Sequence, residues 1–180
     1  MTGIESPVTS LHCDPENIHL LLAGFGDGTV RLFDSRVTSS SPSQRVMTFR
    51  EHKNCWVGRV RMRAGGAKVY SGDASGQVKI WSVNRPESFT TLQTLPTASA
   101  LDFHAHADVI AAGSPQQMVT VLTDDGTSLG TVKYHDGFRG QRIGPISCLA
   151  FHPYKVSSHM FSCSLLKIIK PLFYHPQYFS

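Results

Sequence analysis

Several short constellations in this chain hold residue types capable of chemistry. Gly24-x-Gly26-x-Gly28 has the glycine density of a phosphate-cradling turn. A dinucleotide fingerprint needs its third glycine at the sixth position, with a helix behind it. Thr29 stands there and a β-type run follows, so the segment reads as a tight reversal. His104-Ala105-His106 could place two imidazoles on one side of an extended segment, yet no third ligand lies at metal-binding spacing. Asp124-Asp125 precedes Gly126, where aspartate is favoured because it bonds its own backbone. Neither a Gly-x-Ser-x-Gly elbow nor a His-Glu-x-x-His pair occurs. No catalytic residue, cofactor site, metal site or small-molecule substrate is predicted.

Charge offers a different opportunity. The net charge is only +4, but nine basic residues fall between Arg31 and Lys68 against Asp34 and Glu51 alone. A basic stretch can serve a nucleic acid, and a nucleic-acid-binding module using residues 31–68 is the alternative reading. Such modules interleave stacking aromatics, and here only Phe33, Phe49 and Trp56 are available. A solvated face is the plainer expectation. Within the stretch, Arg59, Arg61 and Arg63 alternate with Val60 and Met62, so three guanidiniums share one side of a strand. That stripe requires carboxylate partners or an open neighbouring face. Ser41-Pro42, in a serine-rich loop, has the form of a proline-directed phosphorylation site and equally of a turn.

The elements that must position these residues come from a recurring phrase. Val8-Thr9-Ser10-Leu11-His12-Cys13-Asp14-Pro15 returns in blurred form from Val57, as Ala98 to Ala105, and as Ile146 to Pro153. Its starts at 8, 57, 98 and 146 lie about 40–50 residues apart, close to the period of a WD-type propeller blade. Each of the first three copies leads to an apolar run, a tight reversal, a third strand and an outer strand. The predicted fold is all-β: a WD-type β-propeller fragment with four-stranded blades at 8–49, 56–95 and 98–134. The start of a fourth blade covers 146–154, and a divergent tail covers 155–180. A repeat unit cannot bury its apolar face alone and must stack on its neighbours.

Phe33, Trp81 and Leu122 hold the position where a WD repeat carries its tryptophan. His52 and Ser71 hold the histidine and serine places of the hydrogen-bond network of such repeats. Its aspartate place reads Ser75, so the network is expected to be incomplete. The first blade has that aspartate, Asp27, without the tryptophan.

Longer phrases carry a more specific likeness. Gly24 to Asp34, Arg45 to His52 and above all Tyr134 to Gly144, running on into Ile146 to Pro153, resemble the C-terminal WD-repeat region of the raptor family. Raptor is the regulatory-associated protein of the TOR kinase. The resemblance spans about Pro7 to Tyr154 and implies a non-catalytic scaffold or adaptor. Its implied partners are proteins of the TOR kinase complex, in nutrient and growth signalling. The family's substrate-docking surface belongs to an upstream region, so no binding residue carries over. After Tyr154 the repeat grammar lapses, with no glycine beyond Gly144.

Composition fits that picture. Met1 to Pro7 shows no basic stretch leading into an apolar one, and no run of about 18 apolar residues exists. Neither a secretory signal nor a transmembrane helix is predicted. Cys13, Cys55, Cys148 and Cys163 are widely spaced and read as small buried hydrophobes of a reducing compartment. The expected location is cytoplasmic, with access to the lysosomal surface through the complex. A partner-contacting hot spot is expected in the loop from Tyr134 to Pro145. There Tyr134, Phe138, Arg139 and Arg142 supply aromatic and arginine anchors. A loop folded back over the blade edge is the equal alternative.

Overall fold

The computed structural model describes residues 6–14, 16–37, 45–133, 145–152 and 158–162. Alternating and β-branched runs punctuated by glycine turns become three antiparallel four-stranded sheets. The first comprises β1 (Val8–Cys13), β2 (Leu20–Phe25), β3 (Val30–Asp34) and β4 (Arg45–Phe49). The second comprises β5 (Val57–Met62), β6 (Lys68–Asp73), β7 (Gln77–Ser82) and β8 (Ser88–Gln93). The third comprises β9 (Ala100–Phe103), β10 (Val109–Gly113), β11 (Met118–Thr123) and β12 (Ser128–Lys133). Strand order within each sheet follows chain order, as in a propeller blade.

A fourth unit pairs β13 (Ile146–Phe151) with β14 (Ser158–Ser162), antiparallel. The segment read as a divergent tail therefore supplies a second strand. Backbone hydrogen bonding is indifferent to the missing glycines, and the edge of β13 offers a row of donors and acceptors.

The inner strands do not keep simple alternation. Register shifts between Val8 and Ser10, Val57 and Arg59, and Ile146 and Cys148 insert one extra residue at the same point of three repeats. A bulge of this kind resets which residues share a face. It turns Val57, Val60 and Met62 together onto Leu22, Val30 and Leu32 of the preceding blade. Leu101 and Phe103 pack likewise on Tyr70, Val78 and Ile80. Ile146, Leu149 and Phe151 pack on Ala111, Val119 and Val121. The core is thus a series of inter-blade cores.

Glycine sets how closely the blades approach. Gly24, Gly72 and Gly113 occupy equivalent places near the ends of second strands. A Cβ at Gly24 would lie 2.8 Å from Val57 and one at Gly113 2.7 Å from Ile146; at Gly72 it would strike Leu101. In the first two blades the turn before the third strand needs glycine for another reason, whereas the third blade has Gln117 there. Gly28 and Gly76 have φ of +79° and +83°, and a side chain there would collide with the carbonyls of His52 and Leu95.

The first blade shows what this packing leaves uncovered. Val8 and Leu11 correspond to Val57 and Val60, yet they are 52% and 60% exposed. Cys13, equivalent to the buried Met62, is exposed too, and so is Cys148 on β13. The expectation that these two thiols are buried is therefore wrong. Among the described residues no blade precedes β1, and Cys148 lies on the side of its strand away from the inter-blade core.

Candidate functional site

The residues of the second blade assemble a buried polar chain. His52 Nδ1 lies 2.9 Å from Asp73 Oδ2, and His52 Nε2 lies 2.7 Å from Ser71 Oγ. Trp81 Nε1 donates to the same Ser71 Oγ at 2.7 Å. The network is complete, contrary to the expectation drawn from Ser75. The carboxylate comes from Asp73, two residues earlier, at the last position of β6, where the first blade has Phe25 at the end of β2. Ser75 answers by donating its hydroxyl and its amide to Asp73 Oδ1, which also accepts from Gln77 N at 3.1 Å. The Asp-x-hydroxyl pair thus stands two residues earlier than its counterpart in the first blade, Asp27 with Thr29.

Burial pushes the His52 pKa down, against the opposing pull of Asp73. The neutral imidazole then donates from Nδ1 to Asp73 and accepts the Ser71 hydroxyl proton at Nε2. Ser71 in turn accepts from Trp81. Every polar atom in the row is satisfied by one consistent direction of donation.

Serine, histidine and aspartate in this order form the geometry of a hydrolytic triad. Here Ser71 and the His52 side chain are fully buried, and the serine oxygen already takes the indole proton. No substrate carbonyl can approach it. The triad is a structural clamp that fastens the 50–56 segment to β6 and β7, with Phe49 against Trp81 at a ring separation of 4.9 Å.

Asp27 serves only its own turn. It accepts from Thr29 N and Oγ1 and pairs with Arg31 at 3.1 Å. Its carboxyl pKa is lowered by those partners although partial desolvation raises it. In the two-histidine motif the His104 ring caps a turn of the backbone. His104 Nδ1 accepts from His106 N, as Asp14 Oδ1 accepts from Glu16 N at the equivalent turn.

The arginine stripe finds its carboxylates one blade on. Asp102, buried in β9, accepts from Arg61 Nη1 at 2.9 Å and from Arg59 Nη2 at 3.3 Å through Oδ1. Its Oδ2 accepts the Phe151 amide at 2.8 Å, so one side chain ties the second, third and fourth units together. Arg63 pairs with Asp108, which also receives Lys68 and the Tyr70 hydroxyl; Lys68 continues to Asp124 at 2.6 Å. On the first blade His12 plays the role of Asp102, its Nδ1 accepting the Met62 amide at 3.2 Å. Asp73, Asp102 and Asp108 were missed as partners by sequence reasoning. Alignment of the inner strands could have found Asp102, since it shares a column with Arg61 and His12.

This arrangement weakens the nucleic-acid reading. Arg31, Arg36, Arg59, Arg61, Arg63 and Lys68, six of the nine basic residues, already face carboxylates. Tyr134, Phe138, Arg139 and Arg142, and also Ser41-Pro42, lie outside the described residues. No helix among the described residues is long and apolar enough to cross a membrane.

Comparison with known proteins agrees with the architecture. The WD domain, G-beta repeat family model matches residues 1–34 and 43–82. The protein raptor homolog of Dictyostelium discoideum is 40% identical over 156 residues, 86% of this chain and 10% of its own length. Regulatory-associated protein of TOR 1 of Arabidopsis thaliana is 35% identical over 84% of this chain and 11% of its own. The crystal structure of Chaetomium thermophilum Raptor superposes with a TM-score of 0.76 at 30% identity, covering 87% of this chain and 15% of that one. The chain spans about a tenth of the length of the curated relatives it matches. By repeat grammar, blade topology and these likenesses, it is a WD-repeat propeller segment similar to raptor proteins.

Proposed function

We propose that this chain acts as a non-catalytic adaptor of the TOR kinase complex, a WD-repeat surface for protein–protein contacts in nutrient and growth signalling. The observation that supports it most is the likeness to raptor in sequence and fold together, over most of the chain. The chemistry is consistent: among the described residues the triad-like cluster is sealed, and Arg59, Arg61, Arg63 and Lys68 pair with carboxylates of the next blade. Its expected place is the cytoplasm, reaching the lysosomal surface through the complex.

The test is reciprocal capture of TOR kinase complex subunits with the tagged full chain expressed in cells. Recovery above a control in which Ser71→Asp disrupts the second blade supports the adaptor reading. Absence of those subunits, with binding to random-sequence oligonucleotide that falls steeply with salt, would replace it with the nucleic-acid alternative.

A further inference from the structure

A recess opens where the beginnings of three inner strands, β5, β9 and β13, converge. Its volume is about 120 Å³, and Trp56, Gly58 and Arg59 line it with Ala100, Leu101 and Cys148. That is well below the roughly 300–1,000 Å³ of a small-molecule site. It suits a single side chain.

Trp56 and Arg59 are out of character with the rest of the fold. Trp81 is fully buried, whereas Trp56 is 52% exposed. Its indole lies beside Gly58, 3.5 Å from where a Cβ would stand, while about half of the side chain remains open to a partner. Arg59 is 42% exposed and gives Asp102 a single hydrogen bond, at 3.3 Å. Asp102 is nearer to Arg61, and its second oxygen is taken by Phe151 N. One carboxylate therefore faces two guanidiniums, and Arg59 keeps most of its five donors. Asp73 also borders the recess, but both its oxygens are occupied, by His52 and by the Ser75–Gln77 turn.

The geometry points to a docking site for an acidic side chain of a partner protein. A glutamate or aspartate would pair with Arg59 while an adjacent apolar residue lies on Trp56. A held aromatic beside an unsaturated arginine is the chemistry of an interface anchor. A carboxylate is favoured over a nucleic-acid backbone because a phosphate track needs a row of free cations, and the neighbouring ones are paired. This inference stands apart from membership of the TOR complex.

The test uses the full chain and a capped pentapeptide, glycine-leucine-glutamate-leucine-glycine, with its glutamine counterpart as control. Binding is followed by Trp56 emission and by calorimetry. The glutamate peptide should saturate, and the glutamine peptide should bind at least tenfold more weakly. Arg59→Gln should erase that difference, and Trp56→Ala should weaken both peptides. If Arg59→Gln fails to fold, Arg59→Lys and the comparison of peptides on the unaltered chain decide. Equal binding of the two peptides, or no saturation up to about 1 mM, would overturn the proposal. So would displacement of the glutamate peptide by a short oligothymidine at lower concentration.

Discussion

At the scale of single residues, His52 and the half-buried His12 do different jobs with the same neutral ring. His52 donates to a carboxylate and accepts from a hydroxyl; His12 accepts a backbone amide from the next blade. Burial, then Arg61 and Arg59, lower the His12 pKa to about 4, against Asp102 and Asp14. His52 is lowered as well, chiefly by burial. Unfolded histidine takes its proton near pH 6.5. Between pH 6.5 and 4 the unfolded chain therefore binds protons that the folded chain refuses, and stability falls with pH. Above about pH 6.5 the histidine contribution is fully present. The lowered carboxyl groups of Asp73 and Asp108 add to the loss only below about pH 4. The urea midpoint should be level from pH 8 to 7 and drop steadily from 6.5 to 4.5. His12→Gln should flatten part of that slope, and a midpoint unchanged between pH 7 and 5 would refute the assignment.

At the scale of elements, one column of the repeat gives a controlled comparison. Leu11, Val60, Leu101 and Leu149 are equivalent on their inner strands, yet only Leu11 is exposed, at 60% against 7% or less for the others. The cost of truncating a leucine to alanine follows the apolar burial it gives up and the cavity it leaves, not residue type. Leu101→Ala and Leu149→Ala should each cost about 2–4 kcal/mol. Leu11→Ala should stay within about 0.5 kcal/mol. Chemical denaturation of the three variants is the check. Equal losses would mean that Leu11 is covered in solution.

At the scale of the whole molecule, the blades are joined by a hydrophobic series and by a polar seam whose centre is Asp102. That carboxylate is 1% exposed and holds Arg61, Arg59 and the Phe151 amide. Asp102→Ala leaves two guanidiniums and an amide without their acceptor between blades. The expected cost is about 3–5 kcal/mol. Hydrogen exchange of the Phe151 amide should accelerate, while the amides of β2 and β3 hold their protection. Unchanged exchange at Phe151 would show that the seam is not carried by this residue.

The repeated phrase by itself determined the all-β architecture, the three blades to within a few residues, and the raptor likeness, since strand periodicity and glycine turns are local properties. Phe33, Trp81 and Leu122 pair with Leu21, Val69 and Ile110, the equivalent register that alignment of the phrases implies. His52, Ser71 and Trp81 were legible as a set for the same reason. What the tertiary structure alone decided is which atoms complete each set. Asp73 supplies the carboxylate from the last position of β6, where the equivalent residue of β2 is Phe25, and its reach to His52 across 21 residues shows only in the folded blade. The partners of Arg59, Arg61 and Arg63 lie about 40 residues away, at a distance only blade stacking can close. Cys13 reads as a small buried hydrophobe, and Leu11 has the residue type of a core position. They are exposed because burial in a repeat protein belongs to the interface between units, and a single unit's sequence does not contain its neighbour.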